Sequence, residues 1–237
     1  MTTTEPVAPT TTDIGTVGAE ALERGTRLRR VASGSAIVAS AVITMAGVLT
    51  ANWENGDTTA EYLQSLREAP FMSLVSMVLL HYGYLLFVPT AFVLARIARH
   101  RAPRLAAVGF VLSVLGAGLS GLLVTDAYDL SIAQNLPADT GVTVSEGAAS
   151  AGMFAIALPT VFGTVIGMSV LFAAMWRARW ISWLPVITVV AGWVVGFGAH
   201  TLLRAGTGFA LVCIALVAVG VRVLRMSDRE FATGEQD

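Results

Sequence analysis

The sequence predicts an all-α fold, a polytopic membrane protein whose six transmembrane helices form a bundle. The 237 residues are 55% hydrophobic and only 13% charged, whereas a typical soluble domain has about 25% charged residues. The apolar residues gather in six long runs, and arginines collect at alternate connections between those runs. A chain with so little polar surface indicates that lipid is its solvent.

The six apolar runs have the length that a membrane-crossing helix needs. About 20 residues, rising about 1.5 Å each, span the roughly 30 Å of hydrocarbon in a bilayer. A helix also satisfies its own backbone groups where no water is present. The runs lack the two-residue alternation of a barrel strand. The predicted spans are residues 31–51, 71–98, 105–125, 151–175, 181–199 and 202–224.

Both ends of the chain are predicted to lie outside the bilayer. Residues 1–30 form a cytoplasmic tail, disordered where Thr and Pro dominate and basic from residue 18 onward, where we expect a short surface helix. The first run follows about thirty residues and is longer than a signal-peptide core, so we interpret it as a retained span. Residues 31–226 form the transmembrane domain, and residues 227–237 form a second cytoplasmic tail.

The distribution of arginine predicts that both termini are cytoplasmic. All fifteen basic residues are Arg, and only Arg67 and Arg204 fall on the side opposite the other thirteen. Cytoplasmic loops of membrane proteins carry an excess of positive charge. Three tryptophans fit an inner interface under this topology, namely Trp176, Trp180 and Trp183. The expected location is the bacterial cytoplasmic (inner) membrane.

Three local features connect this chain with a known group of proteins. They are Glu61–Tyr62–Leu63 after the first span, Pro89 late in the second span, and the run RWISWL at residues 179–184. Over residues 33–224 the chain resembles an uncharacterised family of bacterial six-span membrane proteins. The resemblance implies a six-span fold in a bacterial membrane, and it supplies no activity.

Within the predicted spans, His81 is the strongest candidate for a functional residue. It lies about ten residues into the second span, near the bilayer midplane, where ionisable groups are rare and mark functional sites. Tyr84 shares its helix face. Three roles stay open: a neutral ring that packs the bundle, a group that binds a ligand or a proton, and a haem ligand. His100 and His200 lie at other depths, which argues against a second haem imidazole.

A second candidate site lies at the predicted outer surface. Asp126 and Asp129 follow the third span, and His200 and Arg204 flank the turn between the fifth and sixth spans. We expect Arg204 to pair with Asp126, Asp129 or an acidic residue of the 54–68 loop. The pair is either a solvated surface contact or part of a polar entrance leading toward His81.

Two pairs of glycines suggest close helix packing. Gly163 and Gly167 lie four residues apart in the fourth span, and Gly192 and Gly196 do so in the fifth. Small residues at this spacing let helix backbones approach each other. The approach is either within the chain or between two copies of it.

The sequence lacks the motifs of common enzyme classes. It has no HExxH, no phosphate-binding Gly–Lys loop, no Gly-x-Ser-x-Gly, and only one cysteine, Cys213.

The favoured function is a non-enzymatic transport-related or accessory subunit. The alternatives are a membrane-embedded redox or other enzyme that uses His81, and a structural partner that docks through its Gly-rich faces. We predict no catalytic residue, metal ligand or cofactor. The expected partners are the lipid bilayer and a protein partner or second copy, and no nucleic acid is expected at a net charge of −1.

Overall fold

The computed structural model of the protein describes residues 12–51, 58–118, 121–149, 152, 154–196 and 201–234. Eleven α-helices account for nearly all of these residues, which confirms the all-α prediction. Seven helices form an apolar bundle: α1 (Thr12–Thr50), α3 (Pro70–Leu85), α4 (Phe87–Ala98), α5 (Pro103–Gly118), α8 (Phe154–Arg177), α9 (Trp183–Gly196) and α10 (Leu202–Arg225). The other four are α2 (Thr59–Glu68), α6 (Gly121–Asn135), α7 (Ala138–Ala148) and α11 (Asp228–Thr233).

Four of the described helices are long and apolar enough to cross a membrane. They are Arg24–Thr50, Pro70–Ala98, Leu158–Arg177 and Leu202–Arg225, with mean hydropathies from 1.8 to 2.3. The second of these comprises α3 and α4, which adjoin at Leu86. Two further apolar helices, α5 and α9, coincide with the third and fifth predicted runs but have only 16 and 14 residues. Apolar helices of this kind indicate a membrane protein.

The first helix is longer than the first predicted span. It begins at Thr12 and continues without a break to Thr50. Residues 12–30, which belong to the predicted tail and its surface helix, are therefore helical and continuous with the apolar run. Residues 1–11 lie outside the described part of the chain.

Helices α1 and α10 pack antiparallel along much of their length. Gly34, early in α1, lies against Leu224 at the end of α10. Two turns later in α1, the carbonyl of Ala41 accepts a hydrogen bond from the thiol of Cys213, at 3.1 Å. The order of these contacts reverses between the two helices, so the chain enters and leaves the bundle at the same end.

Small residues allow α5 and α8 to approach closely. A Cβ atom added at Gly163 would lie 2.8 Å from the Cα of Gly116 and 2.9 Å from the carbonyl oxygen of Leu112. Gly167, one turn later in α8, lies directly against Ser113. The first predicted glycine pair thus contacts a neighbouring helix of the same chain.

The second glycine pair lies between α9 and α10. A Cβ atom at Gly192 would lie 2.6 Å from the carbonyl oxygen of Gly208, and one at Gly196 would lie 3.6 Å from the Cα of Gly208. Val212 also contacts Gly192. Both glycine pairs are therefore covered from within the chain, which accounts for them without a second copy.

One end of the bundle carries the short helix α11. Its N-terminus is capped by Ser227, and Phe231 is buried against the bundle. Arg30 of α1 donates a hydrogen bond to Asp228 at 2.8 Å. The guanidinium of Arg96 lies 5.0 Å from the centre of the Phe231 ring. Most of the predicted C-terminal tail is thus an ordered helix that packs onto the arginine-rich end of the bundle.

Helices α2, α6 and α7 cover another part of the molecule and form what we term the cap. Helix α2 replaces most of the predicted 54–68 loop. The cap has its own apolar core, separate from that of the bundle except for Met77 of α3. The core residues are Leu63, Leu66, Met77, Leu130, Ile132 and Ala133. The cap therefore packs on the bundle as a folded layer.

Candidate functional site

A cavity of about 190 Å³ lies between the cap and the bundle. It is lined by residues from the end of α1 and from α2, α3 and α6, and it is open on one side. Its apolar lining residues are Ala51, Leu66, Met77 and Leu80, and its polar lining residues are Tyr62, Ser73, Ser76 and Asp126. An engineered cavity of about 150 Å³ is large enough for benzene, so this one has room for a small organic molecule.

Helix α2 presents Tyr62 to the cavity because both of its ends are fixed. Thr58 and Glu61 form a capping box: the Thr58 hydroxyl accepts from the Glu61 amide, and the Glu61 carboxylate accepts from the Thr58 amide. At the other end, Arg67 donates to the carbonyls of Ala133 and Leu136, at 2.6 and 2.7 Å. These carbonyls belong to the C-terminal end of α6, where helix carbonyls lack intrahelical donors. Arg67 thus ties α2 to α6.

Two serines of α3 offer oxygen lone pairs rather than protons to the cavity. The Ser73 hydroxyl donates to the carbonyl of Ala69, and the Ser76 hydroxyl donates to the carbonyl of Gly47, both at 2.9 Å. A hydroxyl has one proton and two lone pairs. Since each proton is already engaged, Ser73 and Ser76 can serve a cavity ligand mainly as acceptors.

Asp126 is the charged residue of the cavity lining. Among the residues that the structure describes, its carboxyl group has no hydrogen-bond partner. Burial raises the pKa of Asp126 to about 7, and the nearby charge of Asp129 adds to that effect. A carboxyl group in this state is half ionised near neutral pH.

Asp129 and Tyr62 lie in the same polar region, but the Asp129 carboxylate has a hydrogen-bond donor and the Tyr62 phenol is itself a potential donor. The Asp129 carboxylate accepts a hydrogen bond from the Ser145 hydroxyl of α7, at 2.9 Å. Burial raises the pKa of Asp129, and this hydrogen bond opposes the rise. Burial, followed by the charges of Asp126 and Asp129, raises the pKa of Tyr62. The phenol therefore stays neutral and able to donate.

The structure places the predicted residues of the second span beside this cavity rather than in its lining. The ring of His81 contacts that of Tyr82, with centroids 5.6 Å apart, and the Tyr82 side chain is 57% exposed. Among the described residues His81 has no hydrogen-bond partner. Tyr84 packs edge-on against Phe87, at 5.4 Å between centroids. The polar partner expected for His81 is not found in the described part of the chain, and its functional role stays a prediction.

The predicted outer pair does not form among the described residues. Arg204 is exposed, and its Nε donates to the carbonyl of Val195 at 3.2 Å, near the C-terminal end of α9. It makes no ion pair with a carboxylate in the part of the chain that the structure describes. A cation at a helix C-terminus interacts favourably with the helix dipole. His200 lies outside the described residues.

Three residues of the cavity were missed in the sequence analysis: Tyr62, Ser73 and Ser76. A signal for α2 was present, because Thr58 and Glu61 stand at capping-box spacing before an apolar pattern. That signal identifies the helix but not its neighbour. Tyr62 and Asp126 meet only through the packing of the cap, which local pattern does not report.

The described lining of the cavity has groups that could bind a small molecule. Within the described residues, no three His, Cys, Asp or Glu side chains come together as metal ligands would. The lining has one carboxyl group, one phenol and two serine hydroxyls over an apolar base. Such a mixture of a mostly apolar surface with a few placed polar groups is typical of small-molecule sites.

A second, wider groove runs between α1 and α10. It has a volume of about 530 Å³ and is lined by apolar side chains and Cys213. Its rim residues Val42 and Ile214 are 58% and 60% exposed. An apolar groove of this kind is suited to lipid chains, and it has no polar group that would select a solute.

Comparison of the chain with protein-family models, with curated proteins and with solved structures finds no match.

Proposed function

We propose that this protein is a six-span protein of the bacterial inner membrane and a non-enzymatic, transport-related or accessory subunit that holds a small solute beneath its cap. The observation that carries the proposal is the cavity between cap and bundle, with Asp126 in its lining. Ionisable groups within membrane spans commonly mark the path of a substrate or ion, and Asp126 directly follows the third predicted span.

The proposed topology places both termini in the cytoplasm and the cap outside. It is supported by the distribution of the arginines and by the apolar helices α5 and α9, which coincide with the third and fifth predicted runs. The two arginines on the outer side also have local reasons to be there. Arg67 and Arg204 each donate to carbonyls at the C-terminal end of a helix. Their positions therefore do not count against the positive-inside pattern.

The resemblance to six-span bacterial membrane proteins, carried by Tyr62, Pro89 and the run at 179–184, agrees with this proposal. Docking of a partner through the glycine faces is less favoured, because Gly163 and Gly192 are already covered by α5 and α10. The redox alternative would give a visible absorption band in purified protein.

The binding role is tested by thermal unfolding of the protein in lipid nanodiscs with a panel of small neutral, cationic and anionic solutes. A solute that binds the native state raises the unfolding temperature in proportion to its occupancy. We expect at least one class to stabilise the wild type and to lose its effect on Ala51→Phe, which fills the cavity. If no solute distinguishes the two proteins, the proposed binding role is wrong.

A further inference from the structure

We propose that the cavity beneath the cap selects a small organic ammonium ion, a monovalent amine with a short apolar body, and that Asp126 is its counter-ion. This inference rests on the proposed binding role of the same cavity and names the chemical class of its ligand.

The polar atoms of the cavity are suited to a ligand that donates hydrogen bonds. Ser73 and Ser76 have already given their protons to backbone carbonyls. Asp126 supplies carboxylate oxygens that no described residue occupies. Among the described lining residues, Tyr62 retains a proton to donate once Asp126 is ionised, and its oxygen also accepts. An ammonium group has three donors and no acceptor, which complements this set.

The charges around the cavity favour a cation. No arginine or histidine is among its described lining residues. The nearest basic residue of α2, Arg67, is directed to the carbonyls of Ala133 and Leu136. A buried carboxylate without a partner is costly, and a bound cation removes that cost. An anion would meet Asp126 with no compensating positive group among the described lining residues.

The size and the apolar lining argue for an organic cation rather than a metal ion. Calcium needs six to eight oxygen ligands, and the lining supplies one carboxyl group and three hydroxyl oxygens. Leu66, Met77 and Leu80 cover much of the surface and suit a carbon skeleton. The aromatic ring of Tyr62 adds a face on which a cation can rest. The volume of about 190 Å³ limits the ligand to roughly the size of benzylamine.

The inference is tested by calorimetric titration of the full-length protein in nanodiscs at pH 8, where the Asp126 carboxyl is mainly ionised. Three probes of similar shape are used: benzylammonium, benzyl alcohol and benzoate, each corrected for uptake by empty nanodiscs. We expect benzylammonium to bind about tenfold more tightly than benzyl alcohol, because its hydrogen bonds to a carboxylate are charge-assisted. Benzoate should not bind.

The matched variants are Asp126→Asn and Asp129→Asn, which make the same change on the same helix. We expect Asp126→Asn to bind benzylammonium no more tightly than benzyl alcohol. Asp129→Asn should keep the preference, since Asp129 is engaged with Ser145. If Asp126→Asn does not fold, Ala51→Phe decides: loss of benzylammonium binding by the folded variant supports the site, and unchanged binding overturns it.

The outcomes separate this inference from the proposed function. If benzyl alcohol or benzoate binds as tightly as benzylammonium, the inference that the ligand is a cation is wrong, and the proposed binding role of the cavity still holds. A preference for benzylammonium that survives Asp126→Asn overturns the role of Asp126. Failure of all three probes, together with a null result in the solute panel, overturns the binding role itself.

Discussion

The interface between α5 and α8 offers a sharp test of the packing, through the substitution Gly163→Ala. The added Cβ would lie 2.8 Å from the Cα of Gly116 and 2.9 Å from the carbonyl oxygen of Leu112. Carbon atoms in contact prefer about 3.5–4.0 Å. Both neighbours are backbone atoms, so the helices must move apart by most of an ångström.

The expected cost follows from two opposing effects. Overpacking of a close interface costs about 1–3 kcal/mol, whereas replacing Gly by Ala within a helix favours the helix by about 1 kcal/mol. Gly206→Ala in α10 is the matched control, because its Cβ would meet no atom within 4 Å. We expect Gly163→Ala to be less stable than Gly206→Ala by about 1–3 kcal/mol.

The assay is equilibrium unfolding in mixed micelles of a mild detergent and dodecyl sulfate, followed by circular dichroism. Both variants must be compared at the same detergent ratio and protein concentration. If Gly163→Ala proves as stable as Gly206→Ala, then α5 and α8 do not pack as closely as described, and the explanation of the glycine pair in the fourth span is wrong.

Three further predictions concern the cap and the C-terminal helix. Arg67→Gln should lose the charged hydrogen bonds to the end of α6, cost at most about 3 kcal/mol, and speed amide hydrogen exchange in residues 130–136. Because the pKa of Asp126 is raised from 3.8 to about 7 in the folded protein, protonation favours the native state. Stability should therefore fall as pH rises from 5 to 8, by at most about 3 kcal/mol, and Asp126→Asn should remove most of this dependence, the raised pKa of Asp129 accounting for the remainder. Arg30→Ala should release α11 and increase proteolysis after residue 225, with a loss of at most about 1 kcal/mol in global stability.

Each of these predictions has a control variant and an outcome that would contradict it. Arg67→Lys keeps the positive charge but lacks the forked donors of the guanidinium group. If residues 130–136 exchange their amide hydrogens as slowly in this variant as in the wild type, the charge alone holds α6. The exposed Asp139→Asn should leave the pH dependence unchanged. A pH dependence of full size in Asp126→Asn would show that Asp126 is not its main source. Asp228→Asn removes the ion pair but leaves the bond from Arg30 to the carbonyl of Leu224, so protease sensitivity unchanged from wild type in Asp228→Asn would mean that the ion pair does not hold α11.

The sequence predicts the apolar helices far better than it predicts the cap. Long apolar runs identify themselves by length, and each predicted run contains an apolar helix in the structure. The cap helices are shorter and mix polar with apolar residues. In α2, which was interpreted as a loop, Leu63 and Leu66 turn out to face a separate core.

The candidate site was predicted in part because charge is visible in a sequence and proximity is not. Asp126 stood out as an acidic residue at the end of a span. Its neighbour Tyr62 lies more than sixty positions earlier, and the two share a cavity because the cap core and Arg67 join α2 to α6. His81 drew attention by its depth in a span, yet it lies outside the described cavity lining. Its position alone could not show which way the ring points.

The proposed topology is tested most directly by labelling single cysteines in spheroplasts with a maleimide that cannot cross the membrane. In a Cys213→Ser background, the exposed positions Thr140 of α7 and Ala232 of α11 are each replaced by Cys. Thr140→Cys should react in intact spheroplasts, and Ala232→Cys should react only after the membrane is opened. Reaction of both cysteines from the same side, or of Ala232→Cys alone in intact spheroplasts, would contradict a six-span chain with its cap outside.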